Sequence, residues 1–213
     1  MEQIVTNVLK PELKFESKKN EYRYINKDVE QELDTKINDV REYMNENHGK
    51  GKSAKEKDDL YLQSQKIWTK FLDVLKDAKY NFYLNKEQWK FLTDLILNKL
   101  EYDVNTVFFA IELKSLFQGM KETKYKNDDE FIPYPVNATE VTYIYHLISK
   151  NTVKGLTRDS YTFSEILLTI ANISKIFNYY DATGKNLSSD VQDWVSTFED
   201  GVNFEEKRVT ETI

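Results

Sequence analysis

Residues 177–194 read FNYYDATGKNLSSDVQDW, and the fold turns on what Asp181, Ala182, Thr183 and Gly184 do at its centre. Similar fragments occur in calcium loops, in aspartic proteases and around phosphorylated aspartates. A calcium loop with Gly184 in sixth place would start at Tyr179 and end at Asp190. That motif needs a carboxylate or amide oxygen first and a bidentate glutamate twelfth, so a main ligand is missing. An aspartic protease needs two carboxylates sharing one proton, whereas here Ala182 interrupts the triplet and no second copy exists. The stretch therefore reads as a turn between two helices. Gly184 takes a left-handed conformation. Ser188 or Ser189 caps the following helix, with Asp190 in its first turn.

The flanks fit that reading. Residues 161–180 have helical period, and Thr162 to Glu165 match a capping box. Residues 188–200 form a short helix stopped by Gly201. Further upstream, Val29, Leu33, Ile37, Val40 and Met44 share one helical face, with Asn26 as cap. Residues 60–84 read as a second helix with Leu60, Ile67, Phe71, Val74, Leu75 and Ala78 inside. Residues 85–102 read as a third, capped by Asn85, with Trp89, Leu92, Ile96 and Leu100 inside. Residues 103–120 and 137–150 are two more, separated by a polar connection that Pro133 and Pro135 close.

The expected fold class is all-α, an irregular multi-helix bundle of six to eight helices with extended N- and C-terminal arms. ELKFESKKNEYRYI (12–25) alternates without helical period, so residues 1–25 are expected as an extended arm. Residues 26–201 form the helical domain, with a subdivision near 120–137, and residues 202–213 form a C-terminal tail.

Composition narrows the chemistry. The chain has no cysteine, which removes disulfides, zinc ribbons, iron–sulfur clusters and thiol nucleophiles. A net charge of −6 argues against a generic nucleic-acid binder. With 40 % hydrophobic residues, a core is affordable in surface terms. Lys, Asn, Tyr and Ile are favoured over Ala, Gly and Pro, which points to an AT-rich genome such as that of a low-GC bacterium or its phage. The opening residues lack a basic-then-apolar signal pattern, and no apolar run reaches membrane-span length. The expectation is a soluble protein, cytoplasmic or in a virion.

The remaining motifs are incomplete. HGKGKS (48–53) has Glu46 where a phosphate loop needs its first glycine, and it follows a helix rather than a strand. Tyr143 stands three residues before His146, where a di-iron bundle needs glutamate, so His146 is expected to be partly buried. Asp58-Asp59 and Asp128-Asp129-Glu130 read as solvated charge, able to hold a metal only if folding gathers further carboxylates. Lys66 to Lys90 interleaves basic residues with Trp68, Phe71, Tyr80 and Trp89, but at helical spacing, which suits a core with a solvated face.

No catalytic, cofactor-binding or metal-binding residue is assigned. The expected function is a non-catalytic interaction or assembly protein, with a phage structural (virion) component as its finer form. Its partners would be other protein subunits, engaged through the terminal arms. A nucleic-acid accessory factor using the basic loop 48–57 and the Lys/aromatic helix 66–90 is the alternative. A metal-dependent enzyme built on the acidic clusters is a third reading.

Overall fold

Gly184 lies inside a helix, not at a turn. In the computed structural model, which describes residues 9–17, 20–47, 54–104, 106–121, 125–149 and 158–196, one uninterrupted helix runs from Arg158 to Ser196. The two helices expected around Asp181 are this single element. The capping box expected at Thr162 is absent, because the helix begins earlier. Thr162 Oγ1 instead donates back to the Arg158 carbonyl at 3.2 Å, one turn upstream.

The chain is all-α in character, with four short strands among the described residues. In order it has β1 (Lys14–Ser17), β2 (Asn20–Arg23), α1 (Lys27–Asn47), α2 (Ala54–Asp77), β3 (Tyr80–Leu84) and α3 (Lys86–Asp94). A π-helical turn (Leu95–Lys99), α4 (Val107–Lys121), β4 (Ile132–Val136), α5 (Ala138–Ser149) and α6 (Arg158–Ser196) follow. These group into two compact units. The first takes Met1–Lys10, Lys27–Asp77 and Asn178–Ile213, and the second takes Pro11–Asn26 and Ala78–Phe177. Residues 120–137 lie within the second unit.

In the first unit, α1 packs on α2 through the stripe that its sequence shows, with Leu33, Ile37 and Val40 buried. Phe71 and Leu75 from α2 and Tyr180, Leu187, Val191 and Trp194 from α6 are buried as well. Tyr43 meets Trp194 edge-on at 6.2 Å. Gly184 permits the close approach of two helices here. A Cβ at that position would stand 2.5 Å from Cε1 of Phe71, a ring that is itself fully buried. The Trp68 indole N–H donates to the Gly184 carbonyl at 3.1 Å. Glycine inside a helix costs about 1 kcal/mol relative to alanine, and this contact is what offsets it.

Lys10 fastens the start of the described chain to the same unit. Its ammonium lies 2.9 Å from Glu30 and 2.7 Å from Asp34. Tyr180 donates to the other Asp34 oxygen at 3.2 Å. Burial of the ammonium disfavours its charge, but the hydrogen bonds to Asp34 and Glu30 outweigh that and raise its pKa.

In the second unit, Tyr80, Phe82 and Leu84 are buried and alternate with half-buried Asn81 and Tyr83. This is a strand period, so the helix expected over 60–84 ends at Asp77. β3 pairs antiparallel with β4, with Phe82 opposite Tyr134 and Tyr83 opposite Pro133. Pro133 and Pro135 are exposed, two residues apart on the outer edge of a two-stranded sheet. A missing N–H costs no ladder bond in that position.

Lys14–Ser17 and Asn20–Arg23, expected within an extended arm, are extended but pair with each other antiparallel. Phe15 stacks on Tyr22 at 5.0 Å and meets Tyr83 and Phe131 edge-on, both at 5.7 Å. Asn81 holds the strand's exit through its backbone N–H to the Tyr24 carbonyl and its side chain to the Arg23 carbonyl. The strand pair thus belongs to the packing of its own unit. Ile166, Ile170, Ile173 and Ile176 of α6 bury one face of that helix in the same unit. The C-terminal tail 202–213 and residues 48–53 of the basic loop lie outside the described residues.

Candidate interaction surface

Asn85 begins the stretch that positions this surface. Its side chain accepts from the Gln88 N–H and the Gln88 side chain accepts from the Asn85 N–H, a complete capping box at the start of α3. The helix then widens. Leu100 N–H bonds to the Leu95 carbonyl, five residues back, which closes the π-helical turn. Tyr102 donates its phenol to the Ile96 carbonyl in that turn. Burial pushes the Tyr102 phenol above its ordinary pKa.

Asp103 then starts α4. Its carboxylate accepts from both the N–H and the hydroxyl of Thr106, each at 2.8 Å. The Asp103 N–H donates to Thr106 Oγ1 at 3.0 Å. The first turn is therefore locked on both sides, and an acidic group faces the positive end of the helix dipole. Leu100, Glu101, Tyr102, Asp103, Thr106 and Leu147 of α5 line a cleft of about 290 Å³ beside it. The lining has two carboxylates and two hydroxyls that are already bonded, with no histidine or lysine to act as base. The leucine side chains add apolar surface to this lining.

The face of α4 beyond the cleft is apolar and open. Its inner side is used: Leu113 is fully buried and Phe109 stacks on Tyr143 of α5 at 4.2 Å. Val104, in the turn leading into the helix, is 80 % exposed, Phe108 65 % and Ile111 60 %. Their spacing of four and three places them along one helical face. Isolated exposed apolar residues are ordinary, whereas three large ones lie close together here. Glu112 and Lys114 are exposed on α4 on either flank of this line, and Glu101 and Asp103 are exposed ahead of the helix.

The residues singled out from sequence sit elsewhere. Asp181 is on the surface of α6, paired with Lys185 one turn on at 2.7 Å. His146 is exposed, not partly buried, with its ring edge-on to Phe109 at 6.2 Å. Asp128 pairs with Lys86 at 2.8 Å, and this hydrogen bond holds its carboxyl below the usual range. Glu130 accepts from the Lys126 N–H at 2.7 Å, while Asp58 and Asp59 are exposed on α2. The described residues contain no group of three or more His, Asp or Glu placed to share a metal ion.

Along 66–90 the rings and the charges part company. Phe71 and Tyr80 are fully buried, Trp68 is bonded to Gly184, and Trp89 is half-buried 6.1 Å from the Tyr125 ring. Lys66, Lys70, Lys76, Lys79 and Lys90 are exposed. Stacking on nucleic acid needs rings and cations on one surface. No described helix is long and apolar enough to cross a membrane.

The α4 surface went unremarked at the level of sequence, although a signal was present. Val107, Phe108, Phe109, Ala110 and Ile111 are five consecutive apolar residues, and a helix buried on one side cannot hide all of them. Comparison with known proteins gives no match to a family model, a curated protein or a solved structure.

Proposed function

We propose that this chain is a non-catalytic helical protein that works by binding other protein subunits, and that the outer face of α4 is its contact surface. The observation supporting the reading is the exposed line Val104, Phe108 and Ile111. Fully desolvated aromatic and aliphatic anchors of this kind carry much of the energy of protein interfaces. Assembly into a phage particle is the finer form of the proposal and rests on codon-biased composition alone. The nucleic-acid alternative has less support, since the aromatics it would use are taken up by packing.

The test is mass in solution by light scattering, alone and with the products of neighbouring genes, for the wild type and for Ile111→Asp. Both positions at issue are exposed, so Ile111→Asp and Phe108→Asp leave the helical circular dichroism signal intact. The expected result is an association that either change abolishes. Association unchanged in both variants overturns the reading.

A further inference from the structure

We infer that Pro133 and Pro135 close the outer edge of β4 to any further strand, so that the β3–β4 sheet does not grow by pairing with a second copy of this chain. The register of the sheet carries the argument. Asn81 lies opposite Pro135, and Tyr83 lies opposite Pro133. The Asn81 N–H bonds to the Tyr24 carbonyl at 2.7 Å, so it does not point at β4. Asn81 and Pro135 are therefore an antiparallel pair that exchanges no ladder bond, and two residues along so are Tyr83 and Pro133. In such pairs each strand turns its N–H and C=O away from the other. The outward backbone positions of β4 are thus 133 and 135, and both are proline. Ile132, Tyr134 and Val136 have the backbone N–H groups that face β3.

The edge is open to approach. Among the described residues no strand pairs with β4 on its outer side, and both prolines are exposed. That side offers carbonyls but no donor, and the proline rings stand where an incoming strand would bring its own carbonyls. A strand laid there would leave those carbonyls unpaired, which is why proline blunts a sheet edge.

The segment has reason to be blunted. Residues 131–136 read FIPYPV and contain no charge. Phenylalanine, isoleucine, tyrosine and valine are strong strand formers, and a short uncharged run of them without proline is the pattern that stacks into aggregates. The prolines are the only residues in the run that oppose it. The third proline of the chain, Pro11, lies outside the strands and serves as a control.

The experiment uses the full chain carrying Ile111→Asp, so that the surface proposed on α4 adds nothing to the result. Into it are placed Pro133→Thr, Pro135→Thr, the two together, and Pro11→Thr. Mean mass is followed over time by light scattering, and intermolecular sheet by infrared spectroscopy. Both edge prolines are exposed, so the starting helical circular dichroism is expected to be unchanged. In the double variant the mean mass is expected to rise about twofold or more, with an intermolecular sheet signal, as an unprotected edge pairs. Each single edge variant restores one donor and gives a smaller rise. Pro11→Thr behaves as its parent.

A double variant that keeps the mass of its parent overturns the inference. So does a rise of the same size in Pro11→Thr, and so does a rise without the infrared signal. If the double variant loses its helical signal, the single variants decide, and an unchanged mass in both overturns the inference. None of these outcomes depends on whether the α4 face binds a partner.

Discussion

The ring of Phe71 occupies the space that a side chain on Gly184 would need, with Cε1 only 2.5 Å from where a Cβ would stand. Phe71 is fully buried, so its ring has no free direction in which to move. Gly184→Ala therefore lowers stability, although alanine is the better helix former by about 1 kcal/mol. Overpacking costs about 1–3 kcal/mol, and the net loss expected is about 0–2 kcal/mol by urea unfolding. In a Phe71→Leu background the same change costs less, because the two positions share one contact. A gain in stability from Gly184→Ala alone would mean the two helices do not approach this closely.

Asp181 contributes through one exposed ion pair with Lys185, one turn along α6. Asp181→Asn is expected to cost about 0.3–0.5 kcal/mol, the usual worth of such a pair. Calcium leaves the melting temperature of both proteins unchanged. Calcium-dependent stabilisation that disappears in Asp181→Asn would restore the stretch as an ion site.

Lys10 and Tyr180 give the first unit a defined alkaline limit. Both pKa values are raised in the folded chain, Lys10 from 10.5 and Tyr180 from 10.0. For Lys10, burial opposes the charge and the Asp34 and Glu30 hydrogen bonds prevail. For Tyr180, burial dominates. A raised folded value means that the stabilisation is complete below the ordinary value and lost as pH climbs towards the folded one. Stability is thus expected to fall above about pH 10, as measured by urea unfolding across pH. Lys10→Met removes the lysine share of that fall, and costs about 0.5–1 kcal/mol at neutral pH after allowance for solvent screening. A pH profile identical in the two proteins would show that Lys10 is not held by this cluster.

Asn85 closes a reciprocal cap with Gln88. Asn85→Ala is expected to lose about 1 kcal/mol, whereas Asn85→Ser retains most of it. Hydrogen exchange in α3 reads the effect locally, and equal protection in Asn85→Ala and the wild type would remove the cap from the account.

The candidate surface was only partly legible. That residues 103–120 contain a helix, observed as Val107–Lys121, followed from their period, but which of Phe108, Phe109 and Ile111 faces outward did not. All three are equally apolar. Phe109 is covered because Tyr143 stacks on it, a partner 34 positions away that local sequence does not specify.

The sequence by itself determined the helical character of the chain, the buried stripe of Leu33, Ile37 and Val40, and the cap at Asn85. Each depends on groups within a turn or two, where helical geometry alone decides which side chains meet. The tertiary structure decided the rest. Gly184 sits within α6 because Phe71 and Trp68 pack there, the latter 116 positions away in the chain. Tyr80–Leu84 is a strand because Ile132–Val136 pairs with it. The same apolar letters suit a helix or a strand, and a glycine suits a turn or a close contact. The choice is made by which distant segment supplies the missing surface.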